Sequence, residues 1–315
     1  MPMLAEVAPA RRFAVIVNRG ARAAPSVPWR RVADVLRGHG IAADFSFPAS
    51  PADTVRIARA TASRPDAVIV AAGGDGTVHT LVGALAGRDV PLAVLPLGTA
   101  NDLARTLGVP LDPVAAAIRL GASDERRLDL IEVNGRPVCT VGGFGLPAAC
   151  ALAVDRARRG SFLLRAAMRT LGTGIYPTLA AATILRAGTR AARLSIAYRD
   201  PRGVAHRLHV DAAGVFFANQ STLGGHLTLP TASDNADGVF ELCIVRSMPR
   251  IRLLAVLARL KTGRTVPPDA VDVRAVTHAE ITCDARHPLF GDGESLGHSR
   301  RVAVRIRRRA LRVLS

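Results

Sequence analysis

Two short runs combine glycine with polar side chains at places where a strand gives way to a helix. The first is Gly73-Gly74-Asp75-Gly76-Thr77. Glycines there let the backbone turn sharply and approach an anion without a Cβ in the way. The following helix directs N–H groups and the positive end of its dipole at that anion. Asp75 would repel a bare phosphate, so it makes sense with a divalent cation lying between carboxylate and phosphates, directly or through water. An ordinary βα turn with Asp75 as a helix cap accounts for the same residues. The second run is Leu97-Gly98-Thr99-Ala100-Asn101-Asp102, where Thr99 and Asn101 can equally serve as caps. Two such loops after successive strands meet at one edge of the sheet, where open α/β folds bind ligands. That coincidence favours a nucleotide site.

Several phosphate binders are excluded. A P-loop needs Gly-Lys-Ser/Thr and a protein kinase needs its strand lysine. Lys261, the only lysine, sits in neither context. The first strand does not run into the spaced glycines of a dinucleotide fingerprint, which weakens a dehydrogenase reading.

The elements that must position these loops are legible in the apolar pattern. Phe13–Val17, Ala67–Ala72 and Leu92–Leu95 read as buried strands. Between them, Trp29, Val32 and Leu36 share one helical face that stops at Gly38 and Gly40. Ser50-Pro51 opens a helix, and Val78, Leu81, Val82 and Leu85 form the apolar stripe of another. Asp112-Pro113 caps a helix that ends at Gly121. Strands alternating with helices imply a mostly parallel sheet covered on both faces. From Arg127 the pattern changes. Leu128–Val133, Asn134-Gly135 and Pro137–Val141 predict a hairpin with a type I′ turn. A helical stretch around 148–185 precedes strands at 194–198, 207–210, 214–218 and 239–245, with a turn at 200–203 and an amphipathic helix at 251–260. The second half reads as a β sandwich or distorted barrel.

The bulk composition bounds the partners. The chain has 315 residues, 49 % hydrophobic and 21 % charged, which is globular composition with ample length for a core. Its formal net charge is +17, carried almost wholly by arginine, which favours phosphates or an anionic membrane surface. Aromatics are only 4 % and absent from the arginine-rich segment of Arg300, Arg301, Arg305 and Arg307–Arg309, so nucleic acid is not expected. Cys139, Cys150, Cys243 and Cys283 lack metal-ligand spacing and predict a reducing compartment. The apolar stretch Phe162–Leu185 is broken by Arg165, Arg169 and Pro177, which argues against a membrane span.

The ordered set of motifs resembles the diacylglycerol kinase and sphingoid-base kinase family of lipid kinases, itself similar to NAD kinases and phosphofructokinases. It comprises Gly73–Thr77, Leu97–Asp102, Arg127-Leu128-Asp129-Leu130, Asn219, Gly224-Gly225, Pro230, Asp234–Gly238 and Gly291-Asp292-Gly293-Glu294, spanning nearly the whole chain. The resemblance implies an α/β plus β fold: an N-terminal three-layer nucleotide-binding domain and a C-terminal β sandwich. Residues 1–126 would bind nucleotide, with the tail from about 296 to 315 packing back on them, and 127–295 would form a β-rich lipid-substrate domain. It implies ATP contacts from Asn18, Gly73, Gly74, Asp75, Gly76, Thr77, Thr99 and Asn101. Asp75, Asp102 and Asp129 would place a catalytic Mg2+, and Asp234 and Asp237 would hold a structural one. Asp292 would take the proton from the lipid hydroxyl, with Glu294 beside it.

Two departures stand out. The first loop reads Asn18-Arg19-Gly20-Ala21-Arg22 where the family has Asn-Pro and often a lysine, leaving Arg19 or Arg22 to supply the cation. Leu146-Pro147 replaces an aspartate usual after Gly142–Gly145. The expected partners are ATP and a lipid alcohol at an anionic membrane, from the cytoplasmic side, in phospholipid biosynthesis; a homodimer is left open. An NAD kinase-like phosphotransferase and a non-catalytic nucleotide- and membrane-binding protein are the alternatives.

Overall fold

The computed structural model describes residues 11–159, 175–186, 191–224 and 227–315. Gly225, His226 and much of the 161–185 apolar stretch lie outside the described residues.

The first half builds an open parallel sheet. β1 (Arg12–Val17), β2 (Ala42–Ser46), β3 (Ala67–Gly73) and β4 (Pro91–Pro96) pair in the order β2-β1-β3-β4, all parallel. Every residue of β3 and β4 is buried, because helices cover both faces of a parallel sheet. α1 (Trp29–Gly38), α2 (Pro51–Thr61), α3 (Asp75–Leu85), α4 (Asp102–Thr106) and α5 (Pro113–Gly121) supply the cover. The starts of α2 and α5 follow from capping chemistry. Ser50 Oγ accepts from Asp53 N at 3.1 Å and Asp112 Oδ1 from Ala115 N at 2.8 Å, each before a proline at the first helical position.

The second half is antiparallel. β5 (Glu125–Val133) and β6 (Arg136–Val138) form the hairpin, with φ of 47° at Asn134 and 80° at Gly135 as a type I′ turn requires. The hairpin ends at Val138, short of the expected Val141, because Cys139 and Thr140 turn their N–H groups onto Asp292. β7 (Val141–Gly145) then leads through α6 (Leu146–Arg159) and α7 (Ile175–Arg186) to β8 (Ala192–Arg199) and β9 (Ala205–Ala218). The expected separate strands at 207–210 and 214–218 are one strand. Gly214 interrupts the apolar pattern because β7 crosses there so closely that a Cβ would lie 2.3 Å from Phe144 O. β10 (Thr222–Leu223), β11 (Leu227–Thr228), β12 (Phe240–Arg246), α8 (Arg250–Thr262), β13 (Val271–Val276), β14 (His278–Gly291) and β15 (Glu294–Leu314) complete the order.

β15 runs through both halves. Its first part pairs β14, its second part pairs β5, and Arg312 and Val313 pair with Pro91 and Leu92 of β4. Leu311, Val313 and Leu314 thereby enter the first half's core, while a separate core of Ile131, Phe144, Phe217, Phe240 and Ile281 fills the sandwich. Among the described residues no helix is long and apolar enough to cross a membrane.

Asp129 fastens the junction. It is 1 % exposed, and its two carboxylate oxygens accept from Gly238 N and Arg309 N, each at 2.6 Å. Its own N–H donates to Asn235 O at 2.7 Å. Arg309 sits at φ 51°, in a bulge where the β15–β5 register shifts. Asp129→Asn keeps the shape but turns an N–H2 toward one of the two donors. It should lower the unfolding free energy by about 2–3 kcal/mol, read as a lower urea midpoint; an unchanged midpoint would show that this carboxylate does not hold the junction.

Candidate active site

The two glycine loops pack backbone against backbone. A Cβ on Gly98 would lie 2.6 Å from Gly74 Cα, and one on Gly74 would lie 2.9 Å from Gly98 Cα. A Cβ on Gly73 would strike Thr77 Oγ1 at 2.3 Å. Side chains cannot be added here without moving the loops apart.

Asp75 uses this closeness. Its Oδ1 accepts from Asp102 N at 2.7 Å and its Oδ2 from Asn101 N at 3.1 Å, so it caps the start of α4. Asn101 is left-handed at φ 52° and spends its amide on its own loop, with Oδ1 accepting from Gly98 N and Nδ2 donating to Gly98 O. Asp102 Oδ2 reaches across to accept from Gly224 N at 2.8 Å. Asn18, at the end of β1, donates from Nδ2 to Thr77 Oγ1 at 2.9 Å.

Asp292 is the most heavily engaged group. It is buried at φ 51° in the Gly291-Asp292-Gly293-Glu294 turn between β14 and β15. Oδ1 accepts from Thr140 Oγ1 at 2.7 Å, Thr140 N at 2.8 Å and Cys139 N at 3.1 Å. Oδ2 lies 2.9 Å from His79 Nδ1, which donates when the carboxyl is ionised. Burial pushes the carboxyl up, but the hydrogen bond and charge of His79 together with Thr140 outweigh it and hold Asp292 below the usual carboxylate range. For His79, burial pulls the imidazole down. The hydrogen bond and charge of Asp292, with the charge of Glu294, outweigh that and raise it above its ordinary value against Arg136.

Two concavities meet at these turns. A groove of about 1410 Å³ of empty space is lined by Asn18, Gly74, Gly76, Thr77, His79, Gly98, Glu294 and neighbouring residues of α2. A second, apolar cavity is lined by Leu146, Cys150, Ala151, Val154, Ala180, Ile184, Leu253, Val256, Leu257 and Leu260 from α6, α7 and α8. Asp75, Asp102, Asp292 and Gly293 close its inner end. A polar groove and an apolar cavity thus lie on opposite sides of one pair of turns.

The sequence-predicted residues divide accordingly. Asn18, Gly74, Gly76 and Thr77 line the groove with Glu294, whereas Thr99 and Asn101 do not, and Gly73 accepts from Leu97 N within the loop packing. Asp75 and Asp102 lie at the cavity's end with Asp292. Asp129 is at the junction described above. Asp234 and Asp237 each turn a carboxylate oxygen onto a backbone N–H two residues on, at Ala236 and Val239. Asn219 Nδ2 donates to Asp129 O and Cys139 O. Arg19 lies over the Phe47 ring at 4.6 Å, and neither it nor Arg22 lines the groove. His79 was not singled out by the sequence; its place one helical turn beyond Asp75 was the only signal for it.

Residues 12–133 match the diacylglycerol kinase catalytic domain family, and residues 161–315 match the YegS C-terminal NAD kinase beta sandwich-like domain family. A Pseudomonas fluorescens protein named "Probable lipid kinase YegS-like" is 32 % identical over 234 residues, 72 % of this chain and 71 % of its own. A Mycobacterium tuberculosis protein named "Diacylglycerol kinase" is 29 % identical over 244 residues, 76 % of this chain and 73 % of its own. Among solved structures, one of a diacylglycerol kinase from Bacillus anthracis str. Sterne superposes with a TM-score of 0.70 at 18 % identity, covering 97 % of both chains, and so shares the fold. With both halves matched in order and the loops placed as above, the chain belongs to the diacylglycerol kinase family of lipid kinases, in the branch with a YegS-type C-terminal sandwich.

Proposed function

We propose that the protein transfers the γ-phosphoryl group of ATP to the hydroxyl of a lipid alcohol, such as diacylglycerol or a sphingoid base. The observation that carries this reading is the meeting of the polar groove and the apolar cavity at Gly74–Gly76 and Asp292–Glu294. ATP lies in the groove with its phosphates toward the start of α3, and the acyl chain lies among α6, α7 and α8. In this arrangement residues 1–126 with the returning strand hold the nucleotide, and 127–295 hold the lipid. An NAD kinase-like reaction would instead need a second polar nucleotide site where this chain has leucine and alanine.

The lipid oxygen attacks the γ-phosphorus, its proton passes to Asp292, and the bond to the β–γ bridging oxygen breaks to release ADP. A depressed carboxyl is a weak base. Phosphoryl transfer through a loose transition state asks mainly for positioning and charge neutralisation. Glu294 stands on the groove side of the same turn.

For Mg2+ the residues do not form a ready-made cage. Among the described residues no three metal-ligating side chains converge, and Asp75, Asp102 and Asp129 place carboxylate oxygens on backbone N–H groups. Magnesium that keeps its waters and binds chiefly through ATP phosphates needs no such cage.

Contact with an anionic membrane surface is supported by the apolar–basic edges of the cavity helices. Leu185 stands exposed beside Arg186 on α7, and Ile251 stands exposed between Arg250 and Arg252 on α8. Several tail arginines are instead engaged within the chain, Arg301 with Glu280 and both Arg305 and Arg307 with Glu132.

Labelled ATP incubated with diacylglycerol, monoacylglycerol, sphingoid base, ceramide and a polyprenol, with products resolved by mass, tests the reading. Transfer to at least one is expected; ATP binding without transfer to any would favour a nucleotide-binding protein. Asp292→Asn should lower kcat by about two to four orders of magnitude, and full activity would remove Asp292 as the base. Ala151→Trp, which fills the cavity from α6, should raise KM for the lipid at least tenfold while leaving ATP affinity within about twofold. A matched loss of both would mean that the cavity is not the lipid's.

A further inference from the structure

The protein carries a formal net charge of +17, yet none of the described residues lining the groove is an arginine or lysine. The lining side chains are short and polar or apolar, with one carboxylate, Glu294. Arg19, which could have entered from the first loop, is laid over Phe47. A triphosphate in such a groove meets helix N–H groups and a carboxylate but no permanent side-chain cation. Among the described lining residues, the one that can carry positive charge is His79.

We propose that His79, held by Asp292, presents an imidazolium to the phosphates of the bound nucleotide and is the cation the groove otherwise lacks. The inference rests on reading the groove as the nucleotide site. Its geometry is that of a two-ended clamp. Nδ1 is fixed on Asp292 Oδ2 at 2.9 Å, inside the wall between groove and cavity, while the ring lines the groove and its side chain keeps 22 % of its surface exposed. Nε2 is thereby left as the second donor of the protonated ring. The same contact joins the group that receives the lipid's proton to the group that faces the transferring phosphoryl, so one side-chain pair reads both substrates.

The charged groups acting on His79 are Asp292 and Glu294 from the turn ahead of β15, and Arg136 from β6. From α2 and its cap the groove receives Thr54 and Ser50, neither of which titrates. The two carboxylates outweigh both burial and Arg136 and favour the protonated ring. The sign follows: the imidazolium is present below the raised pKa of His79 and is lost as pH climbs through it. Bound phosphates add negative charge and move that loss to still higher pH.

The test compares wild type with His79→Asn, whose side-chain amide can still donate to Asp292 but cannot become a cation. Binding of ATP and of adenosine is measured calorimetrically at about pH 6 and about pH 8.5, either side of the histidine range. Wild type should bind ATP about tenfold more tightly at the lower pH relative to the variant, with adenosine alike in both. The variant should lose about a hundredfold in kcat and the alkaline limb that wild type shows. As a check that does not depend on the variant's activity, the 15N signal of His79 in wild type should titrate above 6.5 and move upward when ATP is added. ATP binding whose pH dependence is the same in both proteins, or a His79 signal indifferent to ATP, would overturn the inference while leaving the kinase reading intact. A protein that transfers phosphate normally with Asn at this position would show that residue 79 only orients Asp292. Failure of wild type to bind ATP at all would remove the kinase reading and the inference together.

Discussion

A buried carboxylate must be given partners or it does not stay buried and charged. Asp292 meets that demand with donors from two separate elements, the segment between β6 and β7 through Cys139 and Thr140, and α3 through His79. Those elements belong to different halves of the fold. The charge of one side chain therefore fixes the distance between the glycine loop and the sandwich, and with it the wall that separates groove from cavity. The arrangement is reinforced one layer out. Asn219 holds Cys139 O and Asp129 O together, and Asp129 in turn holds Gly238 and Arg309. Loosening any link in this series shifts the placement of the next.

The wall is thin because it is made of glycine. Gly74 and Gly98 touch through their backbones, so the first helix of the site begins almost where the second loop ends. Asp75 converts that proximity into a cap for α4, and Asp102 itself reaches Gly224 in the other half. Asp75, Asp102 and Asp129 form a framework of carboxylate-to-backbone bonds. Such bonds orient loops without requiring that the carboxylates gather around a single point.

The elements of the first half were legible in the sequence because their signals are local. Buried apolar runs gave β1, β3 and β4, and the caps at Ser50 and Asp112 gave the starts of α2 and α5. β2 went unread because Ala42–Ser46 lies at the sheet edge, only partly buried, and carries no clean alternation. The Gly-Asp-Gly turns and the resemblance they carry located the candidate site to within a few residues. What spacing could not show was which atoms each carboxylate meets. Asp75 invited a metal-linked reading as strongly as a capping one, and its contacts with the backbone N–H groups of Asn101 and Asp102 could not be read from the spacing. His79 was invisible for the same reason: its partner lies 213 positions away in the chain. The arginines illustrate the opposite error, since their number draws attention while several of them pair with Glu132, Glu280 and Asp89 and do not line the groove.

β15 begins at Glu294, inside the site, and ends within the sheet of the first half beside β4. During synthesis the first hundred or so residues emerge with the β4 edge of their sheet bare, and the strand that covers it is made about two hundred residues later. The first half therefore cannot complete its sheet until β15 has been made. Until Arg312 and Val313 arrive, β4 presents unpaired backbone to its surroundings. Completion of that sheet and delivery of the Asp292 turn to its donors draw on the same stretch of chain, which ties assembly of the wall between groove and cavity to closure of the first half's sheet.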